Sequence, residues 1–255
     1  MRHIEVKVLN PEAVETAERT MVCAARLTQR GHHIKNMDDF MALYNSDYTP
    51  KTAMAMTIIP HPTIQKFGVI NVAVVGASRR FLAPITRHQN EVKFMSASLQ
   101  YSDYSGEAGF VTPYNMLDTM AEFTYQGQCQ QAMAEYADLV EHCVDNDSAG
   151  YIAPQGLRNI LIISATPYQW KHMIGQRVCR RNTDETRYVL LRIWEELHEI
   201  NPLLFTPETT GPMCQRDHCK EGKMSCGKRL LNGQTPAEII AMDFQKLCEG
   251  GRPDD

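Results

Sequence analysis

No stretch of the 255 residues approaches the roughly 20 apolar residues of a bilayer-spanning helix, so no membrane span is expected. Lysine and arginine number 26 against 30 aspartates and glutamates, and the net charge of -4 lacks the basic excess of a protein that binds nucleic-acid polymer. No GxGxxG occurs, and no GxxxxGK followed by Ser or Thr, which removes the familiar dinucleotide and triphosphate cradles. GxSxG and HExxH are missing as well, so no enzyme nucleophile or peptidase zinc site is signalled. None of the eight cysteines forms a CxxC pair, the tight zinc knuckle. A small anion held in a local basic pocket is still compatible with all of these absences.

What is present reads as an ordinary globular chain, 43% hydrophobic, long enough for one large domain or two small ones. The opening MRHIEVKVLN alternates charge with Ile4, Val6 and Val8, which predicts a strand and not a signal peptide. A cytoplasmic protein is expected, and in that compartment the cysteines are thiols or metal ligands before they are bridges. Val14, Ala17, Met21 and Ala24/Ala25 predict a helix over 11–30, ended by Gly31. A helix is predicted over 36–56 around Met37, Phe40, Met41 and Tyr44, with a loop at Ser46 to Pro50. FGVINVAVVG (67–76) and RNILIISA (158–165) predict buried strands by their β-branched content. Between them Ser78 is a good N-cap for a helix to His88 kinked by Pro84, residues 91–100 read as extended, and residues 113–143 read as a long helix broken at Gly127. Residues 170–179 and 185–200 read as helices, the second with Leu190, Ile193, Trp194 and Leu197 on one face. From Pro207 the chain turns rich in Gly, Cys and charge, with a short helix near 236–247. Two parts are expected, a main domain over 1–205 and a Cys-rich appendage over 206–255.

Four places collect residues suited to anion or cofactor chemistry. Arg87-His88 with Ser96 and Ser98 offers a guanidinium fork and hydroxyl donors; if the strand returns toward Arg87, both ends face one cleft. An Arg-His pair is also commonly a solvated face. His61-Pro62-Thr63 is by itself a turn with φ set by Pro62. In WKHMIGQRVCRR, Arg177, Arg180 and Arg181 are explained equally well as cations favoured at a helix C-terminus. Cys214, Cys219 and Cys226, with His218 or Cys248 as a fourth ligand, supply the atoms of a zinc site, but the spacings are loose and His218 crowds Cys219. Packing of the segment as plain thiols against a neighbouring subunit is the preferred alternative, a disulfide the least favoured, and no metal is expected.

Taken in order, these pieces resemble the flavin-dependent thymidylate synthase family. AARLT (24–28) is similar to the family's Ala-Ala-Arg-x-Ser, and HPT (61–63) to its His-x-Ser/Thr flavin contact. GASRRFLAPITRHQ resembles the run ending in the signature Arg-His-Arg, and SLQY (98–101) resembles Ser-x-Arg-Tyr. APQGLRNILIISATPYQWKHMIGQR resembles, without a gap, the stretch from the Leu-Pro motif to the substrate-activating arginine. The likeness spans roughly residues 1–200, as judged from these segments taken together. It implies an α+β fold, a central, mostly antiparallel sheet flanked by long helices. It implies flavin adenine dinucleotide (FAD) as cofactor, contacted by Thr28, His61, Thr63, Arg87, His88, Gln89, Thr166, Tyr168 and His172. It implies substrate contacts from Ser98, Leu99, Gln100 and Arg177, with Arg177 as the catalytic residue that polarises the pyrimidine.

The same resemblance implies methylation of deoxyuridine monophosphate, with methylenetetrahydrofolate giving the carbon, reduced flavin the hydride, and NADPH the reducing power. It also implies a homotetramer whose sites are shared between subunits. The chain departs from the pattern at Pro84, Gln89, Gln100 and Gly150, where the family places a glutamine and three arginines, and at Thr166 and Tyr168, where it places Asn and Arg for the flavin. Each lost charge-assisted bond to phosphate costs about 1.5–3 kcal/mol. Arg79, Arg80, Lys93, Arg158 and Arg180 are the cations close enough in sequence to compensate. The departures keep two alternatives open: methylation or hydroxymethylation of another pyrimidine nucleotide, and a non-catalytic flavin- or nucleotide-binding descendant.

Overall fold

Two segments dense in β-branched residues, INVAVVGAS and RNILIISA, form the middle of a four-stranded sheet. The computed structural model describes residues 1–58 and 62–248. Strand β1 (Glu5–Val8) leads into helices α1 (Pro11–Glu15), α2 (Ala17–Arg30), α3 (Met37–Tyr44) and α4 (Pro50–Ile58). A 3-10 turn at Pro62–Lys66 precedes β2 (Ile70–Ser78), α5 (Arg79–Ile85) and β3 (Val92–Ser96). Helices α6 (Met120–Glu141) and α7 (Asn146–Ala149) lead to β4 (Arg158–Ala165), α8 (Pro167–Arg177) and α9 (Asp184–Ile200). Four short helices close the described chain: α10 (Pro207–Thr210), α11 (Met213–Arg216), α12 (Pro236–Asp243) and α13 (Gln245–Cys248).

The sheet order is β1-β2-β4-β3 and every pairing is antiparallel. Ile70 lies opposite Ala165 and Ser78 opposite Arg158, with a bulge between Val75 and Ala77. Gly76 makes the bulge possible: its φ is +82°, and a Cβ there would stand 2.4 Å from the His3 carbonyl oxygen. Because side chains alternate along a strand, Val72, Val74, Leu161 and Ile163 all point into the core. Helix α9 covers that face with Val189, Leu190, Leu191, Ile193, Trp194 and Leu197, all fully buried. Each such side chain contributes about 1.5–3 kcal/mol of burial. The opposite face carries Val75, Ile160, Ile162 and Met95, which are exposed.

The expected α+β architecture is present, with local differences. Residues 36–56 form two helices, because Asn45–Thr49 turns the chain and Pro50 starts α4. Helix α6 starts at Met120 and runs through Gly127 without a break; one interior glycine costs only about 1 kcal/mol. Ser78 caps α5 as predicted, accepting from the Phe81 N–H, and Pro84 falls in the last turn of that short helix.

The Cys-rich segment is appended in composition but not in packing. Leu230, Ile239, Ile240 and Phe244 are buried in the same core as the sheet and α9. These residues follow Cys214, Cys219 and Cys226; between 206 and 229 no residue joins that core. A largely buried ion-pair cluster adds a second fastening: Asp243, in α12, binds Arg180 at 2.6 Å and also the buried Arg187. Asp243→Ala would take from two guanidiniums the carboxylate they share, leaving Arg180 with the Lys228 carbonyl and Arg187 with the Val178 carbonyl and the more distant Asp184. A loss of about 3–5 kcal/mol of stability is expected, read as a lowered midpoint in urea unfolding; a midpoint within error of the parent would mean the pair contributes nothing.

Candidate functional site

The end of α5 and the exposed side of α8 converge on one cleft. Helix α8 starts where Thr166 accepts from the Gln169 N–H and Pro167 takes the first helical position. Trp170, Met173 and Ile174 are buried, which turns Tyr168, His172, Gln176 and Arg177 toward the other side. Helix α5 ends at Ile85 with Thr86 as its C-cap, and the His88 N–H bonds back to the Ile85 carbonyl, so Arg87 and His88 are presented to α8. Arg177 Nε donates to His88 Nε2 at 2.9 Å, and its NH1 donates to Asn182 Oδ1 at 3.3 Å. Asn182 is tied in turn to the carbonyls of Gln176 and Cys179.

The cleft measures about 580 Å³. Arg87, His88, Gln89, Tyr168, His172 and Arg177 line it, all six predicted from the sequence. Asn90, Gln169 and Gln176 complete the wall and were not predicted; they are neutral amides that carry no signal in a single sequence. Among the described residues no carboxylate lines the cleft. Burial, then the nearby Arg87 guanidinium, press the Arg177 pKa down. Two cations without a counter-charge make this a place for an anionic or electron-rich ligand.

His88 is buried, and burial, then Arg177, then His172, push its pKa down to about 4. A neutral imidazole accepting at Nε2 carries its proton on Nδ1. The unfolded chain takes up that proton near pH 6.5 and the folded one near pH 4, so this contribution to stability is complete above 6.5 and is lost as pH falls toward 4. His88→Gln is expected to flatten the dependence of the denaturation midpoint between pH 4.5 and 7. An unchanged slope in that variant would assign the titration to another group.

Other expected site residues lie elsewhere. His61 falls outside the described residues. Thr63 is exposed on the 3-10 turn that packs against α8, where Lys66 of the same turn sits over the Tyr168 ring at 5.6 Å. Thr28 is exposed near the end of α2 and its hydroxyl donates to the Ala25 carbonyl. Thr166 serves as the α8 cap. The notion that Arg87 and Ser98 face one cleft within a chain is corrected by the register. Val92 pairs with Ala165 beside the cleft, and Ser96 with Leu161. Ser98 lies two residues beyond the end of β3 and is not among the residues that line the cleft. There Ser98 Oγ accepts from the Gln100 N–H, Leu99 packs toward Phe110, Tyr136 and Leu157, and Gln100 is exposed. Among the cations considered as replacements, Arg180 is committed to Asp243 and the Lys228 carbonyl.

The cysteines are all free thiols. Cys214 and Cys219 line a second cavity, of about 450 Å³, together with Cys179 and with Gln176 and Arg177 from the cleft wall. His218 pairs with Asp217 at 2.7 Å. Among the described residues no group of three or more His, Cys, Asp and Glu side chains is arranged to hold a metal ion. A further cavity of about 450 Å³ beside Ser78, Tyr125 and Glu185 collects none of the expected site residues.

Residues 11–203 match the family model described as thymidylate synthase complementing protein, Thy1. The chain belongs to this family. Its Thy1 relatives include the flavin-dependent thymidylate synthase of Thermococcus onnurineus (strain NA1), 24% identical over 180 residues, covering 66% of this chain and 73% of the relative. The flavin-dependent thymidylate synthase of Pyrococcus abyssi (strain GE5 / Orsay) is 25% identical over 183 residues, with the same two coverages. The Thy1 fold is also that of thymidylate synthase X (ThyX) from Helicobacter pylori, a crystal structure with FAD and dUMP. The TM-score is 0.57 at 15% identity, covering 79% of this chain and 99% of that one. The Thy1 match ends before α10, so Asp243, Cys214, Cys219 and Arg216 all lie beyond it.

Proposed function

We propose that the chain is a flavin-dependent thymidylate synthase, which methylates C5 of deoxyuridine monophosphate with methylenetetrahydrofolate as carbon donor and NADPH as reductant. The observation that carries this reading is the meeting of Arg87, His88 and Arg177 in one carboxylate-free cleft, in a chain of the Thy1 family. The donor set suits FAD: Gln89, Asn90 and Gln176 offer amide donors and acceptors to a heterocycle edge, Tyr168 an aromatic face, and Arg87 a cation for a phosphate. When bound, the flavin supplies the hydride. Arg177 stabilises negative charge on the pyrimidine, acting as a preorganised cation that needs no rearrangement as charge develops. Neutral His88 and the Asn182 amide hold that guanidinium in place. Arg87 and the neighbouring amides hold the cofactor. Residues 1–205 form the catalytic part, and the described residues of 206–255 brace the C-terminal end of α8 through Asp243 and the Lys228 carbonyl.

The same reading includes a homotetramer. Ser98, Leu99 and Gln100 do not line the cleft of their own chain, and in this reading a second subunit brings them to a neighbouring cleft. The exposed apolar sheet face is a surface suited to that contact. Among the described residues no helix is long and apolar enough to cross a membrane, in keeping with a cytoplasmic enzyme. Another pyrimidine nucleotide is the second reading. The observation that favours it is the glycine at Gly150 in place of an arginine, where even a Cβ would meet the Leu99 Cβ at 3.2 Å and require Leu99 to give by a few tenths of an ångström.

Purified protein should be yellow with FAD, Arg87→Ala should bleach it, and the parent gene should rescue a thymidine auxotroph. Flavin without rescue would favour the second reading. A colourless protein that takes up no added FAD would overturn both, and full occupancy in Arg87→Ala would remove Arg87 from the cofactor site.

A further inference from the structure

Lys171 is 7% exposed, and its ammonium has no hydrogen-bond partner among the described residues. It lines a small cavity of about 250 Å³ that shares Tyr168 and His172 with the cleft. Arg216, from α11, lines the same cavity. Its outer side is in solvent, NH1 donates to the Thr209 carbonyl at 3.1 Å, and burial of its inner side lowers its pKa. The Thr209 hydroxyl on the wall is also without a partner, as is Gln65 Oε1. Neither cation pairs with a carboxylate among the described residues.

An unpaired buried ammonium is expensive to maintain. Burial, then Arg216, press the Lys171 pKa down to about 7. Such an arrangement is at rest when something negative enters. A carboxylate would neutralise one cation of the two; a phosphoryl dianion neutralises both, and its oxygens also accept from Lys171, Arg216 and the Thr209 hydroxyl.

We propose that the cavity between Lys171 and Arg216 is a binding site for a phosphoryl dianion, placed beside the cleft and joined to it through Tyr168 and His172. The site is formed in part by α11, outside the stretch matched by the family model. It therefore does not depend on the proposed reaction. It is also a basic pocket in a chain that lacks arginine at residues 89, 100 and 150.

Calorimetric titration of the full chain with inorganic phosphate, in a buffer free of other oxyanions, tests the site. The parent should bind, and Lys171→Met and Arg216→Gln should each weaken binding about tenfold or more. Lys171→Met should also raise the melting temperature of phosphate-free protein by several degrees, because the unpartnered amine is gone. A structural lysine would lower it instead. Parent-like phosphate affinity in both variants, or a destabilised Lys171→Met, would overturn the proposal. Arg216 lies at the rim, so its variant carries the test even if Lys171→Met does not fold. Deoxyuridine monophosphate and deoxyuridine as competitors distinguish the source of the phosphoryl group. Competition by the nucleotide alone assigns the site to the nucleotide's phosphate; simultaneous binding of nucleotide and phosphate assigns it to the free ion.

Discussion

Arg177→Ala is expected to lose turnover by about 10²–10³-fold, the scale for removing one preorganised charge-stabilising donor, while still folding and retaining FAD. Arg177 lines the cleft, is held by His88 at 2.9 Å and by Asn182, and has no carboxylate partner among the described residues that would compete with a ligand. Arg180 is three residues further on, just past the end of α8, and the two could be exchanged by a small error of register. Their surroundings separate them: Arg180 is bound to Asp243 on one side and the Lys228 carbonyl on the other. Arg180→Ala should therefore be less stable yet retain most of the turnover of whatever folds. Steady-state kinetics with flavin-loaded protein decides it. Turnover in Arg177→Ala alongside a dead Arg180→Ala would move the catalytic assignment by one turn.

Ile162→Asp is expected to split the assembly and abolish activity with little change in the fold of the chain. Ile162 is 44% exposed on the outward sheet face, opposite Ala73 on one strand and Met95, 74% exposed, on the other. An isolated chain leaves this apolar patch in water, whereas a second copy would bury it. A carboxylate buried there without a partner costs several kcal/mol. Activity should fall with assembly, because Ser98, Leu99 and Gln100 do not line the cleft of their own chain and the proposed function has a second subunit supply them. Light scattering after gel filtration, with circular dichroism as a check on folding, reads the result. A variant of parent mass and parent activity would remove this face from the subunit contact.

Local chemistry was legible in the sequence wherever neighbours in the chain decide the structure. β-branched density marked β2 and β4, Ser78 marked the start of α5, and the apolar spacing of Leu190, Ile193, Trp194 and Leu197 marked the buried face of α9. The ordered motifs brought Arg87, His88, Gln89, Tyr168, His172 and Arg177 into one set, and the fold brings those six together. Other features depend on contacts distant in sequence. The register of β3 on β4 sets Ser98 apart from Arg87, because an antiparallel return carries each residue away at a fixed rise. Asp243 takes Arg180 out of reach from 63 residues away. Lys171 looks like any helix-surface lysine beside Trp170; only the packing of Phe205, Thr209 and Arg216 around it turns it into a buried cation without a partner. Burial and the absence of a counter-charge are properties of the assembled neighbourhood, which is why the tertiary structure alone decided them.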